Sequence, residues 1–350
     1  LSLKKFFQSI LFFLIGLAVL YFLYVRQQKA YLAECQLKGI EEADCSLWEK
    51  LISDFTGANY GWLLVSAGIF LLSCLFRALR WQMMMRPLGV RSRTVNALGA
   101  TMIAYMANLA FPRAGEFVRA GVIAKYEDIS PEAAFGNIIV DRIIDVVCLG
   151  VVVLLSFLFA WQDVGSYLTE NASFSPLKIL KTYPWVFGAI GLGGLLFLGL
   201  LYRYWGRLLQ YPIIQAIQKK AMELWAGIRS VKKIDRPILF LGYTIGIWVL
   251  YFLMTWASFK SFQPTENLGL IAALVVFLFG SLGVLFPSPG GMGSYHFLVT
   301  QGLLMYGVAS ADGFSYANIV FFTIQVLTIV LFGLVFTILL PLLHNKKMQR

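Results

Sequence analysis

Charge is what this chain has least of. Asp, Glu, Lys and Arg make up 13% of its 350 residues, where a soluble domain carries about 25%. With 59% hydrophobic residues and a mean hydropathy of +0.74, that shortage excludes an ordinary soluble fold. Histidine is nearly missing, with two residues, and no group of side chains has metal-ligand spacing. A phosphate-binding P-loop and a Gly-x-Ser-x-Gly elbow are also lacking, which removes the readable signatures of nucleotide hydrolysis and serine acyl transfer. Ser294 and His296 stand two apart, so on one helix they do not face each other as nucleophile and base. No cofactor, no metal and no catalytic residue is expected. The short alternating segments of a membrane β-barrel are lacking too.

The apolar residues instead form continuous runs. A helix crosses a bilayer in about 20 residues. Six segments read as full spans: 9–25, 60–79, 137–160, 184–203, 238–258 and 314–340. The first has no small-residue cleavage site behind it and reads as a retained helix, not a signal peptide. Two more apolar segments, 94–125 and 267–312, are broken by proline and glycine. The predicted fold class is an all-α polytopic membrane protein, with residues 1–350 in a single integral membrane domain.

The net charge of +11 fits cytoplasmic loops rich in Lys and Arg better than a nucleic-acid partner. Lys4 and Lys5 place the N-terminus inside. "RWQMMMRPLGVRSR" has four arginines and no acid, so it is inside, as are the basic segment 203–236 and the C-terminal "HNKKMQR". Parity then makes 94–125 a hairpin that begins and ends inside, broken near Phe111–Pro112, where proline removes a helix donor. It makes 267–312 a hairpin that begins and ends outside, broken at "FPSPGGMG". The expectation is six full spans plus two re-entrant hairpins in an inverted-topology repeat, 1–160 and 184–340, with both breaks reaching the midplane. Between the halves, 208–233 reads as an amphipathic helix on the cytoplasmic surface. Cys74 and Cys148 lie in apolar runs. Cys35 and Cys45 share the polar segment 26–59, where either a disulfide or two free thiols fits.

The candidate site follows from charges kept in apolar surroundings. Around the first break stand Asn108, Pro112, Arg113, Glu116 and Arg119, the three charged residues at i, i+3, i+6 and so expected to pair with neighbours. The next span opens with "NIIVDRIIDVV", carrying Asp141, Arg142 and Asp145. A charge near the bilayer centre costs about 2.5–3.5 kcal/mol on insertion scales, so six need partners or water. Three arginines and three carboxylates sum to zero, which fits a structural ion network. They also fit an anionic head group held by Arg113, Arg119 and Arg142, since the guanidinium fork binds phosphate bidentately. At the second break Pro287, Pro289, Gly290, Gly291 and Gly293 give a turn whose backbone can approach a ligand, with free amides after Gly293 and a titratable His296. A ligand-free tight turn and a buried bundle histidine are the plainer readings.

"ALRWQMMMRPLG", "NLAFPRAGEFVRA", "DRIIDV" and "PSPGGMGSYHF" together resemble the flippase-like membrane family related to the lysylphosphatidylglycerol synthase transmembrane region, over nearly the whole chain. His296 is a departure, since the family's glycine-rich motif is commonly followed by an acidic residue there. The resemblance implies the translocating part without the cytoplasmic synthase domain of better-known relatives. The expected function is movement of a phospholipid or polyprenyl-phosphate-type lipid between leaflets, through a cavity between the hairpins. A membrane-embedded transferase on a lipid-linked substrate and an accessory subunit of an envelope complex are the alternatives. The expected partner is a membrane lipid with an anionic or zwitterionic head group, with a homo-oligomer or envelope-biogenesis protein beside it. The expected location is the bacterial inner membrane, with both termini cytoplasmic.

Overall fold

A computed structural model describes residues 20–22, 24–29, 31–33, 35–36, 41, 45–111, 113–161, 203, 234–286 and 288–348. Among these residues the chain forms ten helices. They are α1 (Leu47–Gly57), α2 (Tyr60–Met85), α3 (Thr94–Ala110), α4 (Gly115–Tyr126), α5 (Pro131–Phe159), α6 (Pro237–Phe259), α7 (Leu270–Leu285), α8 (Ser294–Leu304), α9 (Ser310–Phe321) and α10 (Ile329–Met348). A π-helical stretch, Phe322–Thr328, joins the last two. The predicted amphipathic helix 208–233 lies outside the described residues, as do Pro112, Pro287 and most of the spans 9–25 and 184–203.

Polar residues set where the helices begin. Ser46, Asn59 and Ser130 each accept a backbone N–H from the first turn that follows them, and Pro131 and Pro237 open α5 and α6. Each is a helix start read locally: an oxygen for an orphan amide, or a proline where no amide is needed. Among the described residues, three helical stretches are long and apolar enough to cross a membrane: Tyr60–Leu88, Pro237–Phe259 and Ser310–His344. The chain is a multi-pass, all-helical membrane protein. Its outward faces are correspondingly apolar, with Leu64, Leu154, Leu158, Ile238 and Ile338 all exposed.

Two helix pairs fold back on themselves. In the first, Gly115 at the start of α4 donates its N–H to Asn108 Oδ1 of α3 at 2.7 Å. A Cβ on Gly115 would stand 2.3 Å from the Ala104 carbonyl oxygen, so only glycine fits this return. In the second, Gly283 of α7 faces Tyr295 of α8, Gly280 faces Tyr295 and Val299, and Gly302 faces Val276 and Phe279. The reversed order of these contacts makes α7 and α8 antiparallel. Ser294 Oγ donates to the Gly283 carbonyl at 2.7 Å and fastens the turn. Gly290, at φ +59°, holds the left-handed conformation that the turn requires.

The two turns meet. Leu109 of the first packs on Gly290 of the second, and Arg113 Nη2 donates to the Leu285 carbonyl at 3.4 Å. Elsewhere small residues let helices approach: Gly246 of α6 lies against Phe76 of α2, and Gly333 of α10 against Met106 of α3. Phe70, Met102, Phe259, Val276, Tyr316 and Phe336 share the core between these helices.

One end of the bundle is clasped by α1. Cys35 and Cys45 are joined as a disulfide, Cα to Cα 6.4 Å. Gln28 bridges the Cys45 carbonyl and the Leu47 amide, both at 2.8 Å. Lys50 reaches Asp54 at 2.8 Å and Asp312 of α9 at 2.7 Å.

Candidate functional site

The site is assembled where α2, α4 and α5 come together. Arg77, Arg80 and Trp81 stand at i, i+3 and i+4 on α2 and so share a face. Asp141 and Asp145 stand at i, i+4 on α5 and meet that face. Arg77 Nη1 lies 2.7 Å from Asp145 Oδ2 and 3.2 Å from Asp141 Oδ2. Arg80 Nη2 lies 2.6 Å from Asp141 Oδ1 and 2.8 Å from Asp145 Oδ1. From α4, Arg119 Nη1 reaches Asp141 Oδ2 at 2.9 Å, and its guanidinium covers the Trp81 ring. Arg80 and Asp141 are 0% exposed, Arg119 2% and Arg77 3%.

The edge of this network reaches the protein surface. Arg142 Nε lies 3.3 Å from Glu116 Oε1, and Arg142 Nη1 lies 3.7 Å from Asp145 Oδ2. These side chains are more open, at 41% for Arg142 and 22% for Glu116. They stand at one end of a groove of about 340 Å³ whose lining is apolar, walled by Ile139, Ile143, Val146 and Val147. Ile143, Val146 and Val147 are each more than half exposed, so the groove opens outward along α5. Beside it Phe117 stacks on Phe135 at 4.7 Å.

The structure corrects the sequence reading of the first hairpin. Arg113, Glu116 and Arg119 do not pair with one another. Arg113 precedes the helix, in the break, with φ +63°, so the helical i, i+3 geometry does not apply to it. It is exposed and points to the other turn, while Glu116 and Arg119 pair across to α5. The expected neutral balance is also corrected. Arg77 and Arg80 enter and Arg113 stays out, so four arginines face three carboxylates and the cluster carries one excess positive charge. Several buried guanidinium nitrogens in it, Arg80 Nη1 and Arg119 Nη2 among them, have no hydrogen-bond partner.

Arg80 was read as part of a basic cytoplasmic loop. The signal that places it otherwise is "RALRW": two arginines three apart with a tryptophan next, still within an apolar helix. Asn108 acts on the turn itself, capping Gly115. At the second turn Pro289 and Gly291 are buried and Gly290 meets Leu109. His296 is 1% exposed, with its ring 4.7 Å from that of Phe321 and its Nδ1 accepting from Gly293 N at 3.3 Å. It closes the start of α8. The start of α8 is likewise packed on α7: a Cβ on Gly283 would stand 3.0 Å from the Tyr295 nitrogen. Among the described residues, no hydrogen bond or ion pair joins this turn to the Asp141 cluster.

The family described as lysylphosphatidylglycerol synthase TM region matches residues 46–344. That match takes in both folded-back pairs, the arginine–aspartate cluster and the groove.

The chain belongs to the lysylphosphatidylglycerol synthase TM region family.

This family assignment rests on nearly the whole described chain. A more distant similarity is to Glycosyltransferase AglD of Haloferax volcanii, 28% identical over 162 residues, which cover 43% of this chain and 26% of that protein. The chain therefore spans about a quarter of the length of this relative. No solved structure matches the present chain.

Proposed function

We propose that this chain moves a phospholipid or polyprenyl-phosphate-type lipid between membrane leaflets. The observation that carries the reading is the groove along α5. Its walls are aliphatic and open outward, as an acyl or prenyl chain requires. At one end of it stand Glu116 and Arg142, and behind that pair lies a buried cluster with one excess positive charge. A lipid seated there would place its tail on Ile143, Val146 and Val147 and its phosphate at Arg142, where the guanidinium fork suits phosphate oxygens. Glu116 and Asp145 position Arg142, and Asp141 holds the three buried arginines.

In this reading the two folded-back pairs are re-entrant hairpins of an inverted-topology repeat, whose tips meet near the bilayer midplane. In the same reading both termini and the basic loops lie in the cytoplasm of a bacterial cell, the side on which loops rich in Lys and Arg stay. Leu109, Gly290 and Arg113 close the contact between the tips, so a head group passing there requires the tips to part. The partners are the lipid and, at most, a second copy or another envelope protein. The test is leaflet exchange of a labelled phospholipid in vesicles holding the purified chain. Exchange faster than in protein-free vesicles supports the reading, and folded protein with no added exchange contradicts it. A membrane-embedded transferase has the name of AglD in its favour. In the same vesicles it would yield a chemically altered lipid.

A further inference from the structure

A second cavity, of about 500 Å³, opens where α2 ends and the chain turns toward α3. Among the described residues its wall is formed by Gln82, Arg86, Gly89, Arg91, Ser92 and Asp235. None of these belongs to the Asp141 cluster or to the groove.

The turn is rigidly built. Gly89, at φ +84°, ends a short 3-10 turn, and the Gly89 and Val90 amides donate back to the Arg86 and Met85 carbonyls. Gln82 ties the helix to the loop: its Nε2 donates to the Ser92 carbonyl at 2.5 Å, and its Oε1 accepts from Thr94 Oγ1 at 3.3 Å. These bonds hold the wall in shape and leave Ser92 Oγ buried without a partner.

The charges of the wall are unspent. Arg86, Arg91 and Asp235 take part in no ion pair among the described residues. Arg86 at a helix C-terminus has a dipole to face, but Arg91 lies in the loop and has none. Two arginines around one concavity, unpaired among the described residues, form an anion-binding set. The volume lies in the range of small-molecule sites, about 300–1,000 Å³, and exceeds what a bare phosphate ion needs. Asp235 across the cavity suits a hydroxyl or ammonium on the same ligand.

We infer that this cavity binds a phosphate ester whose organic part carries a hydroxyl or amine, held by Arg86 and Arg91 at the phosphate and by Asp235 at the donor. The ester comes either from a lipid head group or from a soluble metabolite. The inference does not depend on lipid movement by the groove, and absence of leaflet exchange would leave it untouched.

The experiment uses the full chain, with glycerol 3-phosphate as the soluble probe and phosphatidylglycerol nanodiscs against phosphatidylcholine nanodiscs as the membrane probe. Native mass spectrometry or calorimetry reads binding to the wild type, to Arg91→Gln and to the Arg86→Gln/Arg91→Gln pair. Arg86 and Arg91 are exposed, so both variants should melt as the wild type does. The expected result is that at least one probe binds and that the double variant weakens it tenfold or more. Binding of glycerol 3-phosphate assigns the soluble source, and preference for phosphatidylglycerol alone assigns the lipid. No binding of either probe, or equal affinity in wild type and double variant, overturns the inference.

Discussion

Arg119 sits over Trp81, its guanidinium carbon 3.9 Å from the ring centroid, while its Nη1 reaches Asp141 at 2.9 Å. One arginine therefore ties α4 both to an aromatic face on α2 and to a carboxylate on α5. Stacking and fork bonding together are available to Arg and not to Lys. Arg119→Lys should lower thermal stability, and Trp81→Leu should remove much of the difference between Arg and Lys at 119. A double-mutant cycle on melting temperature checks this: additive effects would show that the stack contributes nothing.

Asp141 is the hub of the buried network, with Arg77, Arg80 and Arg119 all within 3.2 Å. Removing its charge leaves three buried arginines short of an acceptor. Breaking a buried pair from one side costs about 3–5 kcal/mol. Asp141→Asn should therefore lose stability on that scale in a detergent or bicelle unfolding measurement. A loss under 1 kcal/mol would mean that water or lipid already serves these arginines.

The clasp formed by α1 has its own pH window. Burial alone would lower the Lys50 pKa, but hydrogen bonds to Asp312 and Asp54, and their charges, outweigh it and leave it above the ordinary value of 10.5. A raised folded pKa contributes stability that is fully present below the unfolded pKa and lost as pH rises through the folded one. The tie between α1 and α9 should hold through neutral pH and release only in the alkaline range above 10.5. Lys50→Met should abolish that alkaline step in a pH series of melting temperatures. Persistence of the step would assign it to another group.

Cys35 and Cys45 should resist a membrane-impermeant thiol reagent until reduced, and then react from the side opposite the basic loops. Labelling before reduction would show two thiols. Cysteines introduced at Leu88 and Asp128 should both be labelled from the basic-loop side. Arg93 and Asn96 at the start of α3 bond Glu127 just past the end of α4, each at 2.7 Å, so both ends of this pair lie together. Labelling of 88 and 128 from opposite sides would contradict a re-entrant first hairpin.

Much of this arrangement was legible in residue order. The breaks at Phe111 and at the glycine-rich turn were marked by proline and glycine, and the polar caps Asn59 and Ser130 lie at the starts of helices expected to span. What the sequence hid was which charge meets which. Helical spacing relates residues within one helix, and the pairs here run between helices: Arg80 to Asp141, and Glu116 to Arg142. Arg113 misled because its conformation departs from helix at the very residue from which the spacing was counted. His296 follows the plainer of its two readings, a buried bundle histidine, and its ring nitrogen fastens the turn at Gly293.

The most direct test of the account is leaflet exchange by Arg142→Gln, measured beside its thermal stability. Arg142 is the most open arginine of the cluster, 41% exposed where Arg77, Arg80 and Arg119 are buried, so its loss should disturb the fold less than the loss of any of those three. The account predicts that Arg142→Gln melts near the wild type and loses most phospholipid exchange, because the phosphate beside the groove has lost its fork. Full exchange by a folded Arg142→Gln would contradict it and leave the cluster as a structural network alone.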